Sequence, residues 1–159
     1  MSILGTVLKG AFGPKRKAIV LSAASLLLAL GSASLAPVNA KEAIAWTHEV
    51  DKGLSAAKQS SKYVLADVYT DWCGWCKRLD AQTFSDKSVA EYLGGKFVCI
   101  KVNAEDHGQG EALARKYQVD GFPCALVFDQ SGKYIGRISG FMPPAEYQAK
   151  VQEILANPQ

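Results

Sequence analysis

A seven-residue apolar run holding a single acid, Tyr63-Val64-Leu65-Ala66-Asp67-Val68-Tyr69, leads directly into Asp71-Trp72-Cys73-Gly74-Trp75-Cys76-Lys77. The first stretch reads as a strand, and the residues after the cysteines are compatible with a helix. Two cysteines spaced Cys-x-x-Cys at a strand-to-helix junction form a redox signature with a physical basis. A helix N-terminus leaves amide N–H groups unpaired, so an anionic sulfur in the first turn gains hydrogen bonds and a favourable dipole. The leading thiol is thereby acidified, and thiolate becomes available near neutral pH. On that argument Cys73 is the nucleophile and Cys76 its resolving partner.

The remaining totals narrow the class. At 159 residues the chain is one domain with at most an appendage, and four cysteines are too few for a disulfide-stapled scaffold. The formal charge of +3 is misleading. Without Lys9, Lys15, Arg16 and Lys17, 14 basic residues face 15 acidic ones, a net of −1 for residues 41–159. That balance excludes the basic surface a nucleic-acid partner requires.

Lys15-Arg16-Lys17 precede an uncharged run from Ala18 to Ala36, which ends in Pro37-Val38-Asn39-Ala40. Cations, an apolar stretch and a small-residue ending read as a secretory signal peptide over residues 1–40. The alternative is an uncleaved inner-membrane anchor, because the run approaches the roughly 20 residues that span a bilayer. Ser22, Ser25, Gly31, Ser32 and Ser34 dilute it and favour cleavage. Either way residues 41–159 are exported, into an oxidising periplasm or the cell exterior.

Periodicity then orders the exported domain. Residues 41–48 are a lead-in with a short edge strand. A helix is expected over Glu49–Ser60, another from Cys73 to Ala81, and a third capped by Ser85 and stopped by Gly94-Gly95. Phe97–Val102 and Cys124–Phe128 are buried strands, and Gln109–Tyr117 is a helix between them. Asp129–Gly132 is a turn into an alternating strand, Lys133–Ile138. Pro143-Pro144 opens a last helix with Tyr147, Val151 and Leu155 on its core face. The order predicts an α/β domain: a mixed sheet of four to five strands with helices on both faces.

With those residues in place, the chain resembles the thioredoxin family of thiol–disulfide oxidoreductases over roughly residues 45–157. The resemblance rests on Trp72-Cys73-Gly74-Trp75-Cys76-Lys77, on Asp67 six residues earlier, on Lys101, on Gly121-Phe122-Pro123 and on Gly140. Asp71 to Lys77 and Thr83-Phe84-Ser85-Asp86 look most like exported domains of the family, such as the C-terminal domain of a transmembrane electron carrier. The resemblance implies a thioredoxin fold, a redox-active Cys73–Cys76 disulfide and a cis peptide before Pro123. It also implies a buried Asp67 shuttling the Cys76 proton beside Lys101. Substrate would dock on Trp72, Gly74, Trp75, Phe122 and Pro123.

Two departures bear on direction. Trp75 stands where thioredoxin has proline, and the dipeptide lacks the histidine of strong oxidants and isomerases, so a reductase is expected. Cys124 stands where a threonine is usual. By the resemblance its strand and that of Cys99 flank the Asp67 strand, which implies a separation of about two 4.8 Å steps, beyond the ~7 Å Cα reach of a disulfide. Both read as reduced core residues. No second Cys-x-x-Cys exists and His48 and His107 lack ligand spacing, so no metal or cofactor is expected. The expected partners are disulfide-containing exported proteins and a membrane-embedded reductant donor, with the chain acting as a monomer. The competing readings are a disulfide oxidase or isomerase and, from another class, a dithiol metal-binding module.

Overall fold

A strand covered by helices on both faces shows no alternation in burial, and β2 (Tyr63–Tyr69) is buried without a break from Val64 to Val68. The computed structural model describes residues 44–159, so the proposed signal segment lies outside the described residues. β2 pairs in parallel with β3 (Phe97–Asn103) and antiparallel with β4 (Cys124–Phe128). β1 (Trp46–Thr47) lies parallel to β3, and β5 (Tyr134–Ser139) antiparallel to β4. The five-stranded order is β1-β3-β2-β4-β5, the mixed sheet expected.

Strand alternation sorts the core into two layers. Val64, Ala66, Val68, Ile100 and Leu126 face α1 (Val50–Ser60) and α4 (Gln109–Lys116). Leu65, Cys99, Ala125, Val127 and Ile138 face α2 (Gly74–Leu79), α3 (Lys87–Lys96) and α5 (Pro144–Ala156). Asp67, two residues beyond Leu65, points to this second face, beneath α2. Among the described residues no helix is long and apolar enough to cross a membrane.

Three local expectations are corrected. Ser85 does not cap α3: the Asp86 carboxylate does, accepting from the Ser88 and Val89 amides at 2.9 and 3.2 Å. The Ser85 hydroxyl instead donates to Ala81 O at 2.6 Å, within a π turn (Asp80–Phe84) that carries α2 past its predicted end. Gly94-Gly95 does not stop α3, which runs to Lys96 and enters β3 directly. A glycine ends a helix by taking a left-handed conformation, and neither of these has a positive φ. On α5 the buried face is Tyr147, Val151 and Ile154, with Leu155 only half-buried at its margin.

Turns hold the layers in place. The Asp129 carboxylate accepts from the Ser131 and Lys133 amides, and Gly132 turns the chain into β5 with φ +87°. At the opposite end of the sheet Asp106 caps α4 through the Gly108, Gly110 and Glu111 amides. There Gly110 meets β3 so closely that a Cβ would stand 2.1 Å from Asn103 O. Backbone cannot yield as a side-chain tip can. Gly110→Ala should therefore lower stability by about 1–3 kcal/mol, the range for overpacking. Urea unfolding followed by circular dichroism would show this as a lower midpoint.

Candidate active site

The end of β2 delivers the cysteines. Thr70 is buried, and its carbonyl accepts from the Cys73 amide at 3.1 Å, turning the chain from strand to helix. Cys73 is the N-cap of α2, with extended φ −72° and ψ 103°. The Cys76 amide donates to Cys73 Sγ at 3.0 Å, and the two cysteines form a disulfide. The amide that would stabilise a Cys73 thiolate is thus already aimed at that sulfur. Both cysteines are nearly covered, whereas Trp72 and Trp75 beside them are 68% and 55% exposed.

Beneath the helix lies a charge cluster. Lys101 Nζ sits 2.7 Å from Asp67 Oδ2 and 2.6 Å from Asp80 Oδ1, with Asp67 buried and Asp80 half-exposed. Trp46, Tyr69 and Phe84 ring the same ammonium with centroids 5.2, 5.1 and 5.5 Å away. Burial pushes the Asp67 carboxyl up. The Lys101 charge and hydrogen bond pull it down, and Asp80 adds a further upward push, leaving the carboxyl above its ordinary value. Burial would depress Lys101, but its two carboxylate partners outweigh that and hold it raised. Asp67 Oδ1 has no hydrogen-bond partner among the described residues, which leaves one oxygen to carry a proton.

The Asp67–Lys101 pair named from sequence is therefore brought together, and Asp80 was missed. Its signal was available: Asp80 lies one helical turn beyond Cys76, on the same helix face. Phe122 and Pro123 complete the surface. The Phe122–Pro123 peptide is cis, and Pro123 O accepts from the Gly140 amide at 2.8 Å. Trp72 packs edge-on to Phe122 with centroids 6.0 Å apart, and its indole N–H donates to Glu105 at 3.0 Å. Trp75 lies 5.8 Å from Phe141, an aromatic that sequence reasoning also passed over. A Cβ at Gly74 would meet nothing within 4 Å, so packing does not dictate that residue.

Cys99 and Cys124 are both free and buried, on opposite layers of the sheet. Burial pushes the Cys99 thiol up to about 12 and raises that of Cys124. Among the described residues no group of three or more His, Cys, Asp or Glu is placed to hold a metal ion.

Comparison with known proteins decides the family. The sequence profile described as thioredoxin-like domain matches residues 50–155. The chain belongs to the thioredoxin-like family of thiol–disulfide oxidoreductases. It is 36% identical over 101 residues to the thiol:disulfide interchange protein DsbD of Pectobacterium atrosepticum, covering 62% of this chain and 18% of that protein. The chain spans about a fifth of the length of the curated relatives it matches. A solved structure from Bacteroides thetaiotaomicron, described as a candidate disulphide-isomerase, superposes with a TM-score of 0.65 at 32% identity. That match covers 73% of this chain and 96% of the other. A Thermus thermophilus thioredoxin shares the fold, with a TM-score of 0.64 at 23% identity, covering 71% and 88% of the two chains.

Asp67 makes this thioredoxin-like domain pH-sensitive in a defined direction. Because its carboxyl is raised on folding, the folded state keeps a proton that the unfolded chain releases, and stability falls as pH rises across that interval. Asp67→Asn removes the buried charge and leaves Lys101 its Asp80 partner. The oxidised variant should melt above wild type at neutral pH, with the gap widening as pH rises and closing in acid. A gap that widened instead toward low pH would contradict the raised carboxyl.

Proposed function

We propose that the chain is an exported thiol–disulfide oxidoreductase that reduces disulfides in exported proteins through Cys73 and Cys76. The observation that carries this reading is the Cys76 amide aimed at Cys73 Sγ, at the N-terminus of a helix that rests on a buried acid. The Cys73 thiolate attacks one sulfur of a substrate disulfide. That S–S bond breaks, one substrate half leaves as a thiolate and takes a proton, and Cys73 holds the other half as a mixed disulfide. Cys76, its proton passed to Asp67, attacks Cys73 Sγ and releases the second half. The substrate has gained two electrons, and the protein ends as the Cys73–Cys76 disulfide.

Asp67 is the base in this scheme because its raised carboxyl lies nearer to a thiol than an ordinary one does. Lys101 positions it. The cis-proline loop offers the Phe122 backbone for pairing with an extended substrate segment, and Trp72 and Trp75 form the docking rim on either side of open Gly74. Residues 1–40 act as a signal peptide or anchor and deliver residues 41–159 to an oxidising compartment. A membrane-embedded dithiol donor recharges the disulfide, in keeping with relatives named as thiol:disulfide interchange proteins.

Isomerase or oxidase chemistry is the second reading, favoured by the structural relative described as a candidate disulphide-isomerase. The reduction potential separates the two. A value more negative than about −200 mV, in the range of thioredoxin and glutaredoxins, is expected. A less negative one, toward the about −120 mV of a strong oxidant, overturns the reductase direction. Cys76→Ala supplies a second test. The reduced variant should accumulate mixed disulfides through Cys73 and lose insulin-reducing turnover, and turnover that survives intact contradicts the two-cysteine cycle.

A further inference from the structure

The walls on either side of Cys73 carry opposite charge. On the Trp72 side stands the Glu105 carboxylate, held against the indole N–H. On the Trp75 side stands Arg78, one helical turn further along α2. The Arg78 guanidinium carbon lies 5.2 Å from the Trp75 ring centroid and 4.8 Å from that of Phe141. Its Nε–H donates to Gln82 Oε1 at 3.2 Å, and this bond and the two rings hold the planar cation at the groove edge. Among the described residues it has no carboxylate within ion-pair distance.

Next to this cation runs a groove of about 300 Å³ lined by Trp75, Phe122, Gly140 and Phe141. Its lining is fixed from below. The Gly140 amide is bonded to Pro123 O, and the buried Thr83 hydroxyl donates to Met142 O at 2.6 Å. An apolar trough with a carboxylate-free guanidinium at its edge complements a segment that carries an apolar side chain followed by an acid. The Glu105 wall repels that same acid, which gives the segment a preferred placement.

We propose that Arg78 is a specificity element that selects substrate disulfides flanked by an apolar residue and a carboxylate. The proposal rests on the oxidoreductase reading and deepens it by naming a substrate class. The occupant is an extended segment of an exported protein, with its apolar side chain against Trp75 and Phe141 and its Asp or Glu on the guanidinium. Arg presents paired N–H donors that match a carboxylate in a way a lysine would not.

The test uses the reduced protein and a peptide series. Each peptide carries one Cys in disulfide linkage to a chromogenic thiol and one Leu beside it, with Glu, Gln or Lys placed one or two residues beyond. Rates should fall in the order Glu, Gln, Lys, by about twofold to fivefold per step, the range an exposed ion pair provides. The spread should shrink in about 1 M salt, where the screening length is about 3 Å. Arg78→Gln should flatten the order and Arg78→Glu should invert it. Equal rates for all three peptides on wild type at low salt overturn the proposal and leave the oxidoreductase reading standing. So does an unchanged order in Arg78→Glu. If no peptide is reduced faster than by a Cys73→Ser control, the oxidoreductase reading falls, and the proposal with it. Were the Arg78 variants to misfold, the salt dependence of the wild-type order decides alone.

Discussion

The Lys101 ammonium ties the sheet to the redox helix. It meets Asp67 from β2 and Asp80 from the turn that prolongs α2, so one cation answers two carboxylates. An unpaired carboxylate in the middle of a covered sheet would cost several kcal/mol in desolvation. The lysine reduces that penalty without removing it: burial still outweighs its pull, and Asp80, which shares the charge, adds a smaller upward push. Asp67 is left under-neutralised, with one oxygen bonded and the other without a partner among the described residues. A fully satisfied Asp67 would be a better structural ion pair and a poorer proton acceptor. The three aromatic rings around Nζ cover part of the ammonium while still favouring its positive charge.

The same helix that carries Asp80 supports the surface above it. Its π turn brings Thr83 to the Met142 carbonyl, and Gly140 is bonded back to the cis-proline loop. Phe141 and Phe122 are therefore positioned by backbone ties rather than by the aromatic contacts alone. The proposed docking surface is tied together by the fold itself, so a substrate would not have to order it.

Much of this was legible in the sequence because burial on both faces leaves a plain record. β2 and β4 are apolar almost throughout, and their predicted bounds coincide with those observed. Cys73 and Cys76 were legible because their spacing has one dominant use, and Asp67 because an acid in such a strand must have a partner. Helix ends were harder to place. Ser85 and Asp86 are both competent caps, and only the π turn, which occupies the Ser85 hydroxyl, decides between them. Gly94-Gly95 looks like a stop, yet a glycine stops a helix only when tertiary structure sends the chain left-handed. Asp80, Phe141 and Arg78 were missed because their meaning lies in what they meet across the fold.

The sheet also acts as insulation. Cys99 and Cys124 sit in opposite layers, so β2 and its neighbours stand between two thiols in one small domain. Burial keeps both thiols protonated, with Cys99 at about 12. A buried thiol that keeps its proton is a poor nucleophile for exchange. Of the four cysteines, two are joined in one disulfide and two are covered as free thiols in the folded domain. The fold is the protecting group for those two thiols, covering both and holding them in different layers of the core.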